Sequence, residues 1–251
     1  MTRHIVVADE GATRVITLRR PDRKNAITDA MYRDMTAAIE SAREDPAIAC
    51  LILTGGSGVF TAGNDLEEFL AQATATAPPE PAAIAFLTAL AHNTKPLIAA
   101  VDGAAVGIGT TMLFHCDYVL ASSTATFSTP FIHLGLVPEG ASSLLMPHAM
   151  GSHRAFAMLV LGQTFTAEAA HAAGFVNVVV SPGHTEAEAR KVARDICKLP
   201  AEAVAISRKL LRPPPEAVTS RIAQEGRLFA ERMRSKEAIT AFKAFFARKR
   251  H

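Results

Sequence analysis

The sequence KPLIAAVDGAAVGIGTTMLFHCD, residues 95–117, describes an apolar strand that breaks at glycines and restarts as an apolar helix. Residues 96–101 form a short apolar run opened by proline, which is tolerated at the first residue of a strand. This run predicts a buried strand, and residues 110–116 predict a buried helix. The stretch therefore indicates an α/β fold in which a central strand leads directly into a helix.

The turn between this strand and helix carries candidate chemistry. Gly107 and Gly109 flank Ile108, so the backbone there can approach a ligand and adopt conformations that side chains forbid. The first amides of a helix have no partner within it and sit at the positive end of its dipole. The Ile108 amide is therefore a candidate donor to an anionic oxygen. The alternative is a turn whose glycines serve close packing alone.

Length and charge limit the class of protein. The 251 residues suffice for one α/β core, or for one domain with a helical appendage. The chain has 26 Lys and Arg residues and 24 Asp and Glu residues. A net charge of +2 is not the strong basic excess that is typical of proteins that bind nucleic acid or a membrane surface. We expect a core domain over residues 1–195 and a helical region over residues 196–251.

Cysteine usage and the N-terminal sequence bear on the compartment. Cys50, Cys116 and Cys197 are widely spaced and fit reduced thiols better than a disulfide framework. The N-terminal sequence MTRHIVVADE lacks the apolar core of a secretory signal, and glycines and Asp102 interrupt the longest apolar stretch. We therefore expect a cytoplasmic protein that binds neither nucleic acid nor membrane.

The chain before the central strand contains a predicted hairpin, helix and strand. Residues 5–9 and Thr13–Leu18 are rich in β-branched residues and predict the hairpin. Thr28 is a good N-cap for a helix that runs to Glu44, and residues 48–53 predict a buried strand. These elements extend the α/β alternation to the N-terminus.

The sequence FTAGNDLEEF, residues 60–69, follows that strand and turns into a helix. Asp65 or Asn64 can cap this helix, and Glu67 and Glu68 complement its dipole. A structural role thus explains the polar side chains but leaves the backbone amide of Asn64 without an assigned partner. This amide is the second candidate donor.

Glu139 stands between Pro138 and Gly140 in an irregular stretch over residues 128–143, and helices dominate the chain after it. Apolar neighbours would raise the pKa of this carboxyl toward a value useful for proton transfer. The alternative is a loop carboxylate that caps the next helix or pairs with an arginine. The histidines lack the spacing of metal ligands beside acidic partners, so we expect no metal site.

The chain resembles the crotonase (enoyl-CoA hydratase/isomerase) superfamily over essentially its whole length. The matching segments are ITLRRPDRKNAIT, LILTGGSGVFTAGNDL, KPLIAAVDGAAVGIGTTMLFHCDYVLAS, ATFSTPFIHLGLVPEGASS and LVLGQTFTAEAAHAAGFVNVVV. Within that superfamily, GNDL together with TPFIHLGLVPEG is similar to the Δ3-Δ2-enoyl-CoA isomerases of the peroxisomal type.

The resemblance implies a spiral of ββα units with a helical C-terminal region used for trimerisation, as a homotrimer or a dimer of trimers. It implies an acyl-CoA substrate, with CoA as part of that substrate and no separate cofactor. Asn64 and Ile108 would donate the two backbone amides that hold the thioester oxygen. The implied substrate and CoA contacts, besides those two residues, are Arg23, Lys24, Ala62, Phe131, Phe245 and Arg248.

The resemblance also bears on the reaction. The hydratases of the family use two glutamates, and the matching positions here hold Thr111 and Phe131, neither of which can act as acid or base. Glu139 matches the position used by the peroxisomal-type isomerases. The resemblance therefore implies an isomerase in which Glu139 alone moves the proton.

Two other functions stay open at the level of the sequence. One is a divergent hydratase or a hydrolase of the same superfamily. The other is a non-catalytic acyl-CoA-binding scaffold that keeps the amide pocket without chemistry. Formation of a conjugated 2-enoyl product would distinguish an isomerase from both.

Overall fold

The central sheet of the computed structural model has six strands, which are mostly parallel. The structure describes residues 4–56, 58–68 and 82–249. The strand order is β1 (Ile5–Glu10), β2 (Thr13–Leu18), β3 (Cys50–Thr54), β5 (Leu97–Val101), β7 (Tyr118–Ser122) and β10 (Val178–Val180). β1 and β2 form the predicted antiparallel hairpin, and the other neighbours are parallel. Every residue of β3 and β5 is buried, as expected for parallel strands covered on both faces.

A second sheet of four short strands lies at the ends of these strands. Its order is β4 (Val59–Thr61), β6 (Ala104–Val106), β8 (Thr126–Ser128) and β9 (Phe165–Thr166). β4, β6 and β8 are parallel and follow directly after β3, β5 and β7 in the chain. Each turn of the chain therefore adds one strand to each sheet before it crosses over, which confirms the expected spiral of ββα units.

Helices cover the sheets and form the C-terminal part of the chain. They are α1 (Asp29–Glu44), α2 (Ala82–His92), α3 (Ile108–Thr111), α4 (Ser142–Met150), α5 (Ser152–Leu159), α6 (Ala167–Ala173), α7 (Thr185–Cys197), α8 (Ala201–Leu211), α9 (Pro215–Met233) and α10 (Lys236–Lys249). Helix α2 packs against both α1 and α9. None of the helices within the described ranges is long and apolar enough to cross a membrane.

Local signals explain where α1 and α3 begin. The Thr28 hydroxyl accepts a hydrogen bond from the Met31 amide at 3.3 Å, which confirms the predicted N-cap. Gly107 has a φ of 58° and a ψ of −120°, so the next helix begins immediately after it, at Ile108. The Ile108 amide therefore lies in the first turn of α3.

The helix predicted over residues 110–116 differs in the structure. After α3 the chain continues as a 3₁₀ turn over Met112–His115 and is extended at Cys116. The reason is the next strand: the Asp117 amide donates to the Leu97 carbonyl at 2.8 Å, which draws the chain back to the central sheet. An α-helix cannot continue where the chain must join a strand.

The C-terminal helices are tied to the core through Asp117. Arg208 of α8 donates from Nε to Asp117 Oδ2 at 2.7 Å, and Arg212 donates from Nη1 to Oδ1 at 3.0 Å. The same Oδ2 accepts the Leu97 amide at 2.8 Å, at the start of β5. Asp117 is thus a structural residue that joins β5 to α8. The boundary at residue 195 and the trimerisation role of these helices stay predictions.

Candidate active site

Two backbone turns meet at the ends of β4 and β6. These strands are parallel neighbours, with Val59 opposite Ala104 and Thr61 opposite Ala105, so the turns that follow them lie side by side. The first turn leads to Asn64 and the second to Ile108. The fold therefore brings together the two segments that carry the predicted donors.

The amides of Asn64 and Ile108 are available for a ligand. The Ile27 amide donates to the Gly63 carbonyl, and the Ile27 carbonyl accepts from the Asp65 amide, each at 2.8 Å. Because these two bonds form a β-bridge between Ile27 and Asn64, the Asn64 amide points away from Ile27. Within the described residues, neither the Asn64 nor the Ile108 amide donates to a protein acceptor. A pair of free amides at adjacent turns can hold a developing oxyanion.

Glycine is required for this close approach. Gly63 has a φ of +84°, and a Cβ placed there would lie 2.7 Å from the Val106 carbonyl oxygen. A Cβ at Gly109 would lie 2.4 Å from Cγ2 of Thr61. Side chains at these positions would push the two turns apart, so both glycines set the separation of the candidate donors.

Glu139 is a buried carboxyl group that accepts a hydrogen bond from Thr111. It is 8% exposed, and Thr111 Oγ1 donates to its Oε1 at 2.5 Å. Burial raises the pKa of Glu139 to about 8; the Thr111 hydrogen bond opposes this shift, and the charge of Glu225 adds to it. A carboxyl group with such a pKa can both accept and return a proton near neutral pH.

A cavity of about 400 Å³ opens beside Glu139. Glu139 and Asn64 lie in its wall. The large apolar residues of the wall come from α2, from α9 and from the segment just before α1. The apolar residues are Ile27, Ile84, Leu87, Ile222, Phe229 and Met233. A mostly apolar cavity with a few polar groups suits an acyl chain whose reacting atoms lie next to the carboxylate.

Tyr32 fixes the side chain of Asn64. The buried Tyr32 hydroxyl donates to Asn64 Oδ1 at 2.5 Å. Burial, and then the charge of Glu139, raise the pKa of Tyr32 well above its usual value, so the phenol stays protonated. The Oδ1 atom of Asn64 is therefore held by a neutral phenol donor.

The loop after Glu139 is anchored by His115. Its Nε2 donates to the Gly140 carbonyl at 2.8 Å, which fixes the proton on Nε2 because a carbonyl can only accept. Burial lowers the pKa of His115 to about 4, so the ring is neutral at physiological pH. Its Nδ1 is buried and has no hydrogen-bond partner among the residues that the structure describes.

The residues predicted for CoA binding are only partly brought to the site. Arg23 pairs with Glu67 at 3.2 Å on the surface, and the Lys24 carbonyl accepts the Ala62 amide at 2.9 Å. Arg23, Lys24 and Ala62 therefore lie along one edge of the turn before Asn64 and do not line the cavity. Phe245 and Arg248 lie in α10, and their side chains fall outside the described part of the chain.

Phe131 acts through its packing. It is 5% exposed and meets the ring of Phe229 edge to face, with centroids 6.2 Å apart. Phe229 in turn lines the cavity. Phe131 therefore supports the cavity wall from behind and supplies no acid or base.

Three residues of the site were missed by sequence reasoning. Tyr32 and His115 lie in segments whose apolar neighbours indicate core packing, and Glu225 lies on a helix with many charged residues. None of them carries a local motif. Among the described residues, no group of three or more His, Cys, Asp and Glu side chains could hold a metal ion.

The chain belongs to the enoyl-CoA hydratase/isomerase family, because residues 9–251 match the sequence model of that family. The chain is 37% identical to enoyl-CoA delta isomerase 2 of Rattus norvegicus over 98% of its length, and spans 64% of that relative. It is 34% identical to the peroxisomal enoyl-CoA delta isomerase 3 of Mus musculus, over 98% of this chain and 78% of that protein. Pseudomonas aeruginosa OdaA superposes with a TM-score of 0.92 at 41% identity, covering 97% of this chain and 99% of that one.

Proposed function

We propose that this protein is an enoyl-CoA isomerase that moves a double bond from position 3 to position 2 of an acyl-CoA thioester. The observation that carries the proposal is the buried carboxyl group of Glu139 in the cavity. The resemblance described above supports it, because Thr111 and Phe131 would stand where the family's hydratases hold glutamates. Hydration needs groups that position and deprotonate a water, whereas isomerisation needs one group that moves one proton.

The proton follows a short path. The Glu139 carboxylate removes a proton from C2, the C2–H bond breaks, and its electrons form a dienolate that extends to the thioester oxygen. Glu139 then returns the proton to C4, which leaves the double bond between C2 and C3. The raised pKa of Glu139, about 8, matches a group that must both take and give a proton.

The two amides stabilise the charge that develops on oxygen. The amides of Asn64 and Ile108 would donate to the thioester oxygen, which acidifies C2 in the ground state and holds the dienolate once it forms. Each donor of this kind is worth about 3 to 4 kcal/mol of barrier. The Tyr32 hydroxyl donates to Asn64 Oδ1 and so holds the side chain of Asn64 beside the cavity.

A product assay on a chain-length series of cis- and trans-3-enoyl-CoA substrates tests this function. Wild-type protein is expected to form conjugated 2-enoyl-CoA, and Glu139→Gln to lose about 100-fold or more of the turnover while it retains CoA binding. Glu231→Gln is the control, because Glu231 is an exposed carboxylate on α9.

The products separate the alternatives. Accumulation of 3-hydroxyacyl-CoA would indicate a hydratase, release of free CoA a hydrolase, and binding without turnover at every chain length a scaffold. A substrate deuterated at C2 adds a test of the path: a single buried carboxylate predicts that part of the label arrives at C4. Loss of all label to solvent would contradict transfer by one shielded group.

A further inference from the structure

Glu225 of α9 is a buried carboxylate that holds the loop after Glu139. It is 5% exposed, and its Oε2 accepts the Ala141 amide at 2.6 Å. Its Oε1 accepts the amide of Ser143 at 3.0 Å and the hydroxyl of Ser143 at 2.5 Å. A buried carboxylate is stable only where donors satisfy it, and here the donors are the first amides of α4 and the residue before it.

The backbone that Glu225 holds is in an unusual conformation. Ala141 has a φ of +57°, which disfavours residues with a Cβ and persists only where the surroundings enforce it. The hydrogen bond from the Ala141 amide to Glu225 is one such constraint, and the bond from His115 to the Gly140 carbonyl is another. Together they fix the backbone on the C-terminal side of Glu139, and so the direction of its side chain.

The same helix forms part of the cavity wall. Ile222, Gly226 and Phe229 of α9 line the cavity, and Glu225 lies between them on the face toward the core. An acyl group in the cavity would therefore contact the helix that holds the loop. Gly226 also keeps α9 close to α2, since a Cβ there would lie 3.1 Å from Cδ1 of Ile84.

We infer that Glu225 is a positioning residue for Glu139. Through Glu225, helix α9 couples the part of the cavity that would hold the acyl group to the orientation of the carboxylate that transfers the proton. This inference rests on the proposed function. Glu225 touches no reacting atom; it acts through the amides of Ala141 and Ser143.

Electrostatics supports this role. The Glu225 charge raises the pKa of Glu139, so neutralising it favours the ionised form of Glu139. The other titratable or charged side chains at the cavity are Asp29, Tyr32, Asp65, Glu68 and Arg227. His115 donates to the Gly140 carbonyl of the same loop, and Arg221, one turn before Glu225 on α9, donates from Nη1 to the Ser143 hydroxyl at 2.9 Å.

Glu225→Gln tests the inference, with Glu231→Gln on the exposed face of the same helix as the matched control. Glutamine keeps the size of the side chain, but its NH₂ group cannot accept an amide N–H, so one of the loop contacts is lost. We expect kcat to fall roughly 10- to 100-fold with KM within about twofold, because a misdirected base slows chemistry more than binding. The acidic limb of the pH–rate profile should move to lower pH by about half a unit or more.

Glu225→Asp serves as the second variant, and decides the matter if Glu225→Gln does not fold. Aspartate keeps the charge and shortens the reach, so kcat should fall while the acidic limb stays at the wild-type pH. The inference is overturned if the Glu225 variants have the same kcat and the same acidic limb of the pH–rate profile as Glu231→Gln. It is also overturned if they only unfold at a lower temperature, or if KM rises while kcat stays constant.

A substrate-free measurement separates this inference from the proposed function. The carboxyl band of Glu139, assigned by its loss in Glu139→Gln, can be titrated by infrared spectroscopy in wild type and Glu225→Gln. A downward shift of the titration in Glu225→Gln supports the link between the two carboxylates even if 3-enoyl-CoA is not the substrate. An unshifted titration in an active isomerase overturns the inference alone.

Discussion

The Thr111 hydroxyl donates a hydrogen bond of 2.5 Å to the carboxylate of Glu139, and it is the one side-chain donor to that group among the described residues. By the resemblance to the family, Thr111 would stand at the position where its hydratases hold a glutamate. A carboxylate there would repel Glu139, whereas the hydroxyl favours its ionised form. In the proposed isomerase, this position would therefore modulate the ionisation of Glu139 and would supply no second acid or base.

We expect kcat/KM to rise with pH through a limb near pH 8, because Glu139 must be ionised to accept the C2 proton and its pKa is about 8. Thr111→Val removes the donor that favours the ionised form. Hydrogen bonds to charged groups are worth about 1.5 to 3 kcal/mol, so the limb should move up by about one to two pH units. The measurement is the pH profile of kcat/KM for both proteins.

Thr111→Ser is the control for this prediction, because serine restores the hydroxyl and should restore the limb to near pH 8. A limb in Thr111→Val that coincides with that of wild type would show that the hydroxyl does not act on the ionisation of Glu139. A limb absent from both proteins would show that Glu139 is not the base.

Much of the site could be predicted because its signals are local. Glycines around Ile108, a capped helix after Asn64 and a proline–glycine frame around Glu139 all mark unusual backbone within a few residues. The spiral of ββα units was expected from the resemblance to the family, which rests on several such local segments taken together in their order. The helix after Ile108 was predicted with the wrong length because its end is set by Asp117, which pairs with a distant strand.

The remaining parts of the site depend on contacts between distant segments. Tyr32 looks like one more residue of an amphipathic helix, and only the fold places its hydroxyl on Asn64. Glu225 looks like a solvated charge, and only the packing of α9 buries it. Sequence patterns report burial by periodicity, so a polar residue that is buried because of a distant donor gives no such signal.

Glu139 should cost the protein stability at alkaline pH. Its folded pKa of about 8 lies above the ordinary value of 4.5, so the native state holds a proton that the unfolded state releases between these values. The stabilisation is therefore complete below about pH 4.5 and is lost as pH rises to about 8. Relative to wild type, Glu139→Gln should gain stability across this window, by on the order of a few kcal/mol above it.

Chemical denaturation of wild type and Glu139→Gln at a series of pH values checks this prediction. The difference between the two proteins isolates Glu139 from other groups, such as His115, whose lowered pKa acts in the opposite direction below pH 6.5. A difference that does not change with pH would mean that Glu139 has the same pKa in the folded and unfolded states, and would contradict the raised pKa.

Gly63→Ala should reduce catalysis by moving one amide donor. The added Cβ would lie 2.7 Å from a backbone carbonyl, that of Val106, which cannot rotate away, and the φ of +84° disfavours alanine as well. Loss of one oxyanion donor costs roughly 10²- to 10³-fold in kcat. Steady-state kinetics should show this loss in kcat with KM little changed.

Gly183→Ala controls for backbone strain without a clash. Gly183 has a φ of +78°, and a Cβ there would meet no atom within 4 Å. This variant should lose some stability but keep the wild-type kcat. Equal losses of kcat in the two variants would assign the effect to strain rather than to the amide of Asn64.

Asp117→Ala should destabilise the fold without slowing the chemistry. Its carboxylate accepts from Arg208, Arg212 and the Leu97 amide, and Arg208 would be left buried and unpaired. Because Asp117 is 25% exposed, we expect a loss of about 2 to 3 kcal/mol, somewhat below that of a fully buried pair. Denaturant unfolding measures the loss, and kcat per folded molecule should stay at the wild-type value.

Asp195→Ala is the matched control, because Asp195 pairs with Lys198 at 2.8 Å where both side chains are exposed. Exposed pairs contribute little, so this variant should unfold near the wild-type midpoint. If Asp117→Ala behaved like Asp195→Ala, the attachment of α8 to the core would have to come from apolar packing alone. If it also lost kcat, the ties from Asp117 to β5 and to α8 would be needed to hold the Ile108 turn in place.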